Sequence, residues 1–294
     1  MLHETIPGYV QLNQKPQTCF STIFQTSKGR RGELLGQERI AKEVNSYIDE
    51  RDADFFGKDM RKRALDKDDE KVGLVLRNLE DKRFTNRLKD KLGLEAQIHY
   101  PSIISGKEIY KPLMDEVREI LDKYKEEIKE KPKFLIEKIR DSELFIKHVD
   151  NNAGFLVEKV DVGFDVGLNY HHRVMRNTDN GHYVLIAGFD DKTLQTYVVD
   201  PSPYSPEEWW KDLPTLLVAT MPIWDKKVKE MKERGWFTFG PPYRDESLKD
   251  RNRLNPSKVP EYNPTIIGVT HRIKVQSGEQ MELKLGGTSP QKTP

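Results

Sequence analysis

Four residues of this chain could together carry out nucleophilic chemistry on an amide bond. Cys19 is the single cysteine, and His182 and Asp200 follow it along the chain. A thiol beside an imidazole can be converted to the thiolate, which is the nucleophilic form of cysteine. A carboxylate on the other side of the ring would hold the imidazole tautomer. Gln14, shortly before Cys19, could donate a side-chain amide N–H to a developing oxyanion beside the Cys19 backbone N–H.

The residues around His182 predict the strands that must position it. Residues 181–190 form an apolar run with the histidine at its start, and residues 197–199 form a second run that ends at Asp200. Turn-forming residues, 190–193, separate the two runs. We therefore predict a β-hairpin or a pair of adjacent strands that brings His182 and Asp200 close together.

A short helix is predicted to begin at Cys19. Phe20, Ile23 and Phe24 have helical spacing, and Thr18 is a plausible N-cap. In the first turn of a helix, the macrodipole and the free backbone N–H groups favour a thiolate.

Each candidate residue also has a structural interpretation. A lone cysteine is often an inert buried thiol, a histidine can simply start a strand, and Asp-Pro is an ordinary turn signal. Asp190 is a rival carboxylate, although its position predicts the hairpin turn. His171 and His172 with His182 could suggest a metal site, but no ligand set has recognisable spacing, so we predict none.

The motifs resemble those of the C39-like branch of the papain-like cysteine peptidases. The matching residues are Gln14, Cys19, residues 181–190 and residues 199–201. The resemblance implies an α+β, papain-like fold, in which an N-terminal helical lobe carries the cysteine and an antiparallel sheet carries His182 and Asp200. It also implies cleavage or transfer at an amide bond through a thioester, with peptide or protein substrates and no cofactor. In this comparison Gln14 is an oxyanion-hole residue, and residues 155–162 resemble the strand before the histidine loop.

The predicted domain comprises residues 1–224, with a helical insertion at about 54–150. Residues 225–294 are predicted to be an irregular extension that could contact a protein partner, with a disordered tail at 287–294. Apolar periodicity predicts helices at 33–53, 58–93, 111–131 and 134–148, and a helix start at 207–210. We predict a polar loop at 171–180, and further strands at 94–100, 154–162, 213–221, 236–239, 265–269 and 281–285.

Charge and hydropathy exclude some partners. Lys and Arg total 49 against 48 Asp and Glu, so no net basic charge argues for nucleic acid. No apolar run approaches the ~20 residues that span a bilayer, and no signal peptide is visible, so we expect a cytoplasmic or otherwise intracellular protein.

Three functional hypotheses follow. The first is a cysteine hydrolase, most simply a peptidase. The second is a catalytically silent papain-like domain that serves binding or assembly; it is motivated by the charged insertion, the extension, and Phe20 where family members usually have glycine. The third keeps the Cys-His-Asp triad but makes the protein an amidase or acyltransferase.

Overall fold

A computed structural model describes most of the central part of the chain. The described residues are 2–4, 19–30, 35–36, 39–40, 43, 79–176, 181–202, 210–224, 233–240, 272–274 and 280–282. They form an α+β structure in which helices pack on both faces of an antiparallel sheet. The predicted fold class is therefore confirmed.

The described residues contain helices that lie between strands along the chain. They are α1 (Cys19–Arg30), α2 (Lys82–Leu92), α3 (Pro101–Ser105), α4 (Lys107–Lys123), α5 (Lys125–Glu130), α6 (Phe134–Ile139), α7 (Glu143–Val162), α8 (His172–Arg176) and α9 (Leu213–Thr220), with a 3-10 turn at Pro222–Trp224. Among the described residues, no helix combines the length and the apolar character needed to cross a membrane.

The strands form one large sheet and one small one. They are β1 (Leu2–Glu4), β2 (Glu95–His99), β3 (Asp165–His171), β4 (Gly181–Asp190), β5 (Gln195–Val199), β6 (Trp210–Asp212), β7 (Trp236–Gly240), β8 (Arg272–Lys274) and β9 (Gln280–Glu282). The large sheet has the order β2-β7-β3-β4-β5-β6, and β1 pairs with the last residues of β4. β8 and β9 pair with each other.

The predicted hairpin around His182 is confirmed. β4 and β5 pair antiparallel, with Leu185 opposite Val199, and the register shifts between Ile186 and Gly188. On the other side of β4, β3 pairs with its first half, and Tyr170 lies opposite His182. His182 is therefore near the start of a central strand of the sheet.

Alternate side chains of the strands enter two different cores. On β4, Val184 and Ile186 pack with α4, α6, α7 and α9, whereas Tyr183 and Leu185 pack with α1 and α2. This alternation is the expected period of two for a strand covered on both faces. The sheet thus separates a layer of helices on one face from α1 and α2 on the other.

Two segments that the sequence predicts as strands are helices in the structure. Residues 154–162 were predicted as a strand, but they are the second half of α7, which Ser142 caps at its N-terminus and Gly163, at φ 90°, ends. Residues 213–221 were also predicted as a strand and form α9 up to Thr220. α9 has seven buried residues out of eight and therefore no polar stripe, so periodicity cannot distinguish it from a buried strand.

Other boundaries are corrected near the site. The sequence predicts a polar loop at 171–180, but His171 is the last residue of β3 and His172 is the first residue of α8. Both histidines are buried. The helix predicted at 207–210 falls outside the described residues except for Trp210, which begins β6. The strand predicted at 236–239 is confirmed as β7. β7 lies within the stretch predicted as an irregular extension, residues 225–294, but it pairs with β2 and β3 of the large sheet.

Several helices and strands match the sequence predictions. β2 matches the strand predicted at 94–100, and Gly93 ends α2 with φ 61° as a left-handed C-cap. α4 and α5 share the region predicted as one helix, and of residues 33–53 the described Arg39, Ile40 and Glu43 are helical. β9 overlaps the strand predicted at 281–285. Gln14, Thr18, the strand predicted at 265–269 and the tail at 287–294 lie outside the described residues.

Candidate active site

Cys19 is the first residue of α1, as the sequence predicts. Its thiol is half-buried, while the neighbouring Phe20 is 3% exposed. Phe20 packs edge-on against Tyr183 of β4, with 5.2 Å between ring centroids, and Phe24 packs in the same way against Phe239 of β7. These aromatic contacts hold the first turns of α1, and therefore Cys19, against the sheet.

The other end of α1 is fixed by buried polar contacts. The Ser27 hydroxyl donates to Oδ2 of Asp165, the first residue of β3, at 2.6 Å. The Lys28 ammonium donates to the carbonyl of Gly93 at 2.9 Å. Ser27, Lys28 and Asp165 are at most 1% exposed. Buried polar groups with hydrogen-bond partners resist displacement, so both ends of α1 have a defined position.

The His182 side chain is enclosed by aromatic rings and a carboxylate. It is 4% exposed, and its Nε2 lies 2.6 Å from Oδ1 of Asp200. The ring of His172 is 4.5 Å away between centroids, and Tyr170 meets the imidazole edge-on at 5.7 Å. This packing leaves Nδ1 as the ring nitrogen available to a second partner.

That second partner is Cys19. The Cys19 side chain forms a hydrogen bond with the His182 side chain, so the imidazole bridges the thiol and the carboxylate. Burial lowers the pKa of His182, but the hydrogen bonds to Asp200 and Cys19 and their negative charges outweigh it and raise the pKa to about 9. The protonated imidazole is thus the favoured form of His182 near neutral pH, and its positive charge lies beside the Cys19 side chain.

Asp200 is oriented by a second donor. The backbone N–H of Ser202 donates to the same Oδ1 at 2.8 Å, which closes a turn immediately after β5. The Asp200 side chain is 10% exposed. The Asp-Pro turn and the histidine-orienting carboxylate are therefore one feature, because the turn bond fixes the carboxylate that faces His182.

The remaining sequence candidates lie elsewhere. Gln14 falls outside the described residues. Asp190 lies at the opposite end of β4 from His182, and its Oδ1 accepts from the Lys192 backbone N–H at 3.1 Å within the turn. Nδ1 of His171 accepts from the Arg173 backbone N–H. Within the described part of the chain, no group of three His, Cys, Asp or Glu side chains could hold a metal ion.

Two residues near His182 were missed by sequence reasoning. Asn169 of β3 donates from Nδ2 to the His182 carbonyl at 3.1 Å, and Arg234 donates from Nη1 to Oδ1 of Asn169 at 2.9 Å. An asparagine inside a buried strand is a signal that could have identified the first of them, because buried polar side chains need partners. Arg234 carries no comparable signal, since charged residues surround it in sequence.

Phe20 has a structural explanation. It belongs to an aromatic cluster with Phe24, Tyr183, Phe237 and Phe239, whose ring centroids lie 5.0–6.3 Å from one another where they contact. A bulky residue after the cysteine therefore fills the core between α1 and the sheet. Its presence does not obstruct the contact between Cys19 and His182.

A comparison with known protein families covers the region that contains His182 and Asp200. A sequence model described as the peptidase C39-like family matches residues 72–228, which is more than half of the 294 residues. The match includes His182 and Asp200 and begins after Cys19. A search of curated proteins found no significant match. The chain therefore belongs to the peptidase C39-like family, and its matched region is a cysteine peptidase-like domain.

Proposed function

We propose that this protein is a cysteine peptidase that uses Cys19 as nucleophile, His182 as general acid and base, and Asp200 as the orienting carboxylate. The observation that carries the proposal is the imidazole of His182, which is hydrogen-bonded to both the Cys19 thiol and the Asp200 carboxylate. Family membership supports peptides or proteins as the substrate class.

The catalytic domain of this proposal includes α1, although the family match begins at residue 72. Its support is the packing of Phe20 and Phe24 on the sheet and the bond between Ser27 and Asp165. β7 belongs to the same domain because it pairs with β3.

The reaction begins with a Cys19 thiolate and a protonated His182. The thiolate attacks the amide carbonyl carbon, and the carbonyl oxygen becomes an oxyanion that the Cys19 backbone N–H stabilises; Gln14 is the proposed second donor. His182 then donates its proton to the leaving amine as the C–N bond breaks, which leaves a thioester on Cys19. Water attacks the thioester and His182 takes a proton from it; the C–S bond then breaks, the carboxylic acid departs, and the Cys19 thiolate and protonated His182 are regenerated.

Asp200 acts on the histidine alone. Its carboxylate accepts from Nε2–H, so Nδ1 remains directed at Cys19 throughout the reaction. The Ser202 N–H keeps the carboxylate from rotating away.

A peptide-library assay tests this function. The full chain and its Cys19→Ala variant are incubated with a mixed peptide library, and the products are identified by mass spectrometry. We expect new peptide termini with the unmodified chain and none with Cys19→Ala. Equal product spectra from both proteins would contradict the proposal.

The nature of the acyl group separates peptidase from amidase or acyltransferase chemistry. Acid quenching during turnover should trap the thioester on Cys19, and the mass added to the chain identifies the acyl group. We expect the added mass to be that of a peptidyl group. A non-peptide acyl group would instead indicate an amidase or acyltransferase that uses the same three residues. Because the chain has one cysteine, the adduct has a single thiol to occupy.

A further inference from the structure

The first residues of β4 pair with a neighbouring strand along one edge only among the described strands. Among the described strands, β5 pairs with β4 only from Leu185 onward, whereas β3 pairs with it from Gly181 to Ile186. The backbone of His182 is therefore restrained chiefly by β3. A side chain of β3 adds to this restraint.

That side chain is Asn169, which is 3% exposed and makes three hydrogen bonds. Its backbone N–H donates to the carbonyl of Gly235, its Nδ2 donates to the carbonyl of His182, and its Oδ1 accepts from Arg234. Asn169 thus connects the residue that bears the imidazole to the segment just before β7.

Arg234 is in turn held by both its main chain and its side chain. Its backbone N–H donates to the carbonyl of Thr220 at the end of α9, and its Nη1 donates to Asn169. The guanidinium also lies against Gly181: a Cβ atom at that position would be 2.1 Å from Nη1. A glycine immediately before His182 therefore leaves room for the arginine that orients Asn169.

We propose that Asn169 and Arg234 are positioning residues for His182, which fix its backbone so that the imidazole lies between Cys19 and Asp200. This inference rests on the proposed function. Neither residue is a catalytic residue in this account: Asn169 acts through the His182 carbonyl, and Arg234 acts through Asn169.

The test measures how fast iodoacetamide alkylates Cys19 as a function of pH, using the full chain and no substrate. An ordinary thiol, with a pKa near ~8.5, is only about 1% ionised at about pH 6.5. The unmodified protein is expected to react rapidly there, because His182 stabilises the thiolate. Small misplacements of a paired group cost up to ~10²-fold. We expect Asn169→Ala and Arg234→Met to slow the reaction near neutral pH by roughly 10-fold or more.

Two controls separate positioning from general damage. Arg234→Lys keeps a donor and a positive charge, and should recover most of the rate that Arg234→Met loses. Thr238→Val removes the 3.0 Å hydrogen bond between Thr238 and His99 in the same sheet, away from His182, and should leave the pH profile unchanged. Thermal unfolding of each variant verifies that it is folded at the assay temperature. Arg234 is only half-buried, so Arg234→Met carries the test if Asn169→Ala does not fold.

The outcomes distinguish this inference from the proposed function. A folded Arg234→Met or Asn169→Ala protein with the unmodified pH profile would overturn the inference. If instead the unmodified protein reacts as an ordinary thiol and His182→Ala changes nothing, the proposed function itself fails. Loss of rate in Arg234→Met, recovery in Arg234→Lys and no change in Thr238→Val would together support the inference.

Discussion

The strands that carry His182 and Asp200 are joined through backbone pairing, whereas the helix that begins at Cys19 is held against the sheet by side chains. β4 is paired with β3 and β5, and Asp200 is fixed by a turn bond as well as by the imidazole. α1 relies on Phe20 and Phe24 at its start and on Ser27 and Lys28 at its end.

This difference divides the site into a sheet half, which contains His182 and Asp200, and a helix half, which contains Cys19. Substitutions in the sheet half should act mainly on proton transfer, whereas substitutions in the helix half should act mainly on packing. Substituting a residue of the sheet half should change proton transfer while the fold persists. Substituting a residue of the helix half, which is α1 with its packing residues, should lower the free energy of unfolding. It should also change the distance between Cys19 and His182. The expected effects below run from the largest to the smallest.

His182→Ala should have the largest effect on activity. Because the variant lacks both the general acid and the base, we expect peptide turnover to fall by about 10²–10⁴-fold. Measurement of kcat/KM on a peptide from the library assay checks this, with circular dichroism to compare the folds. Turnover within a few fold of the unmodified protein would contradict the sheet half of the site.

Phe20→Ala should have the largest effect on stability. Removing a buried phenylalanine typically lowers the free energy of unfolding by about 3–5 kcal/mol. Phe24→Ala is the matched control, because Phe24 is equally buried in α1 but one turn further from Cys19. Denaturant unfolding should show similar losses for both, while only Phe20→Ala should also strongly slow Cys19 alkylation. Equal effects on alkylation would contradict a local role for Phe20.

Asp200→Asn should alter the pH dependence of stability. The pKa of His182, about 9, lies above the ~6.5 of a free histidine, so the folded state binds the proton more tightly. Its contribution to stability is fully present below about pH 6.5 and is lost as pH rises through about 9. Without the carboxylate charge the His182 pKa should fall, and this loss should occur at lower pH. Unfolding curves at a series of pH values measure it; the same pH dependence in both proteins would contradict the role of Asp200.

Ser27→Ala should have the smallest of these effects. Buried Asp165 would lose a donor, which costs about 1–3 kcal/mol. Thr26→Val provides the control, because the Thr26 hydroxyl donates to the Thr22 carbonyl within the same helix and its loss leaves no sheet residue without this donor. We expect a larger drop in unfolding midpoint for Ser27→Ala than for Thr26→Val. The reverse order would argue that the end of α1 is held by packing alone.

Much of the sheet half could be predicted from sequence, because its signals are local. The apolar run after His182, the turn residues and Asp200 all lie within twenty residues, and the hairpin follows from them. The helix predicted from Cys19 was also confirmed. The rest depends on contacts that are distant in sequence. Ser27 and Asp165 are 138 residues apart, Asn169 and Arg234 are 65 apart, and no local pattern encodes either bond.

The prediction of a strand at 154–162 failed for a different reason. The apolar residues there repeat at helical spacing only when α7 is followed from Phe145 through Val149, Asn152 and Leu156 to Val160. A polar Asn152 in this series obscures the pattern, although it is buried and accepts from Trp236. Residues that serve a buried polar network interrupt the binary pattern on which sequence prediction relies.

The central claim is that His182 stabilises a thiolate at Cys19, and ultraviolet absorbance of the thiolate tests it most directly. Because the chain has a single cysteine, a pH titration of this absorbance has one source. We expect the thiolate signal to persist to lower pH in the unmodified protein than in His182→Ala, because a protonated imidazole stabilises the thiolate. A titration near the ~8.5 of an ordinary thiol, identical in the two proteins, would contradict the account.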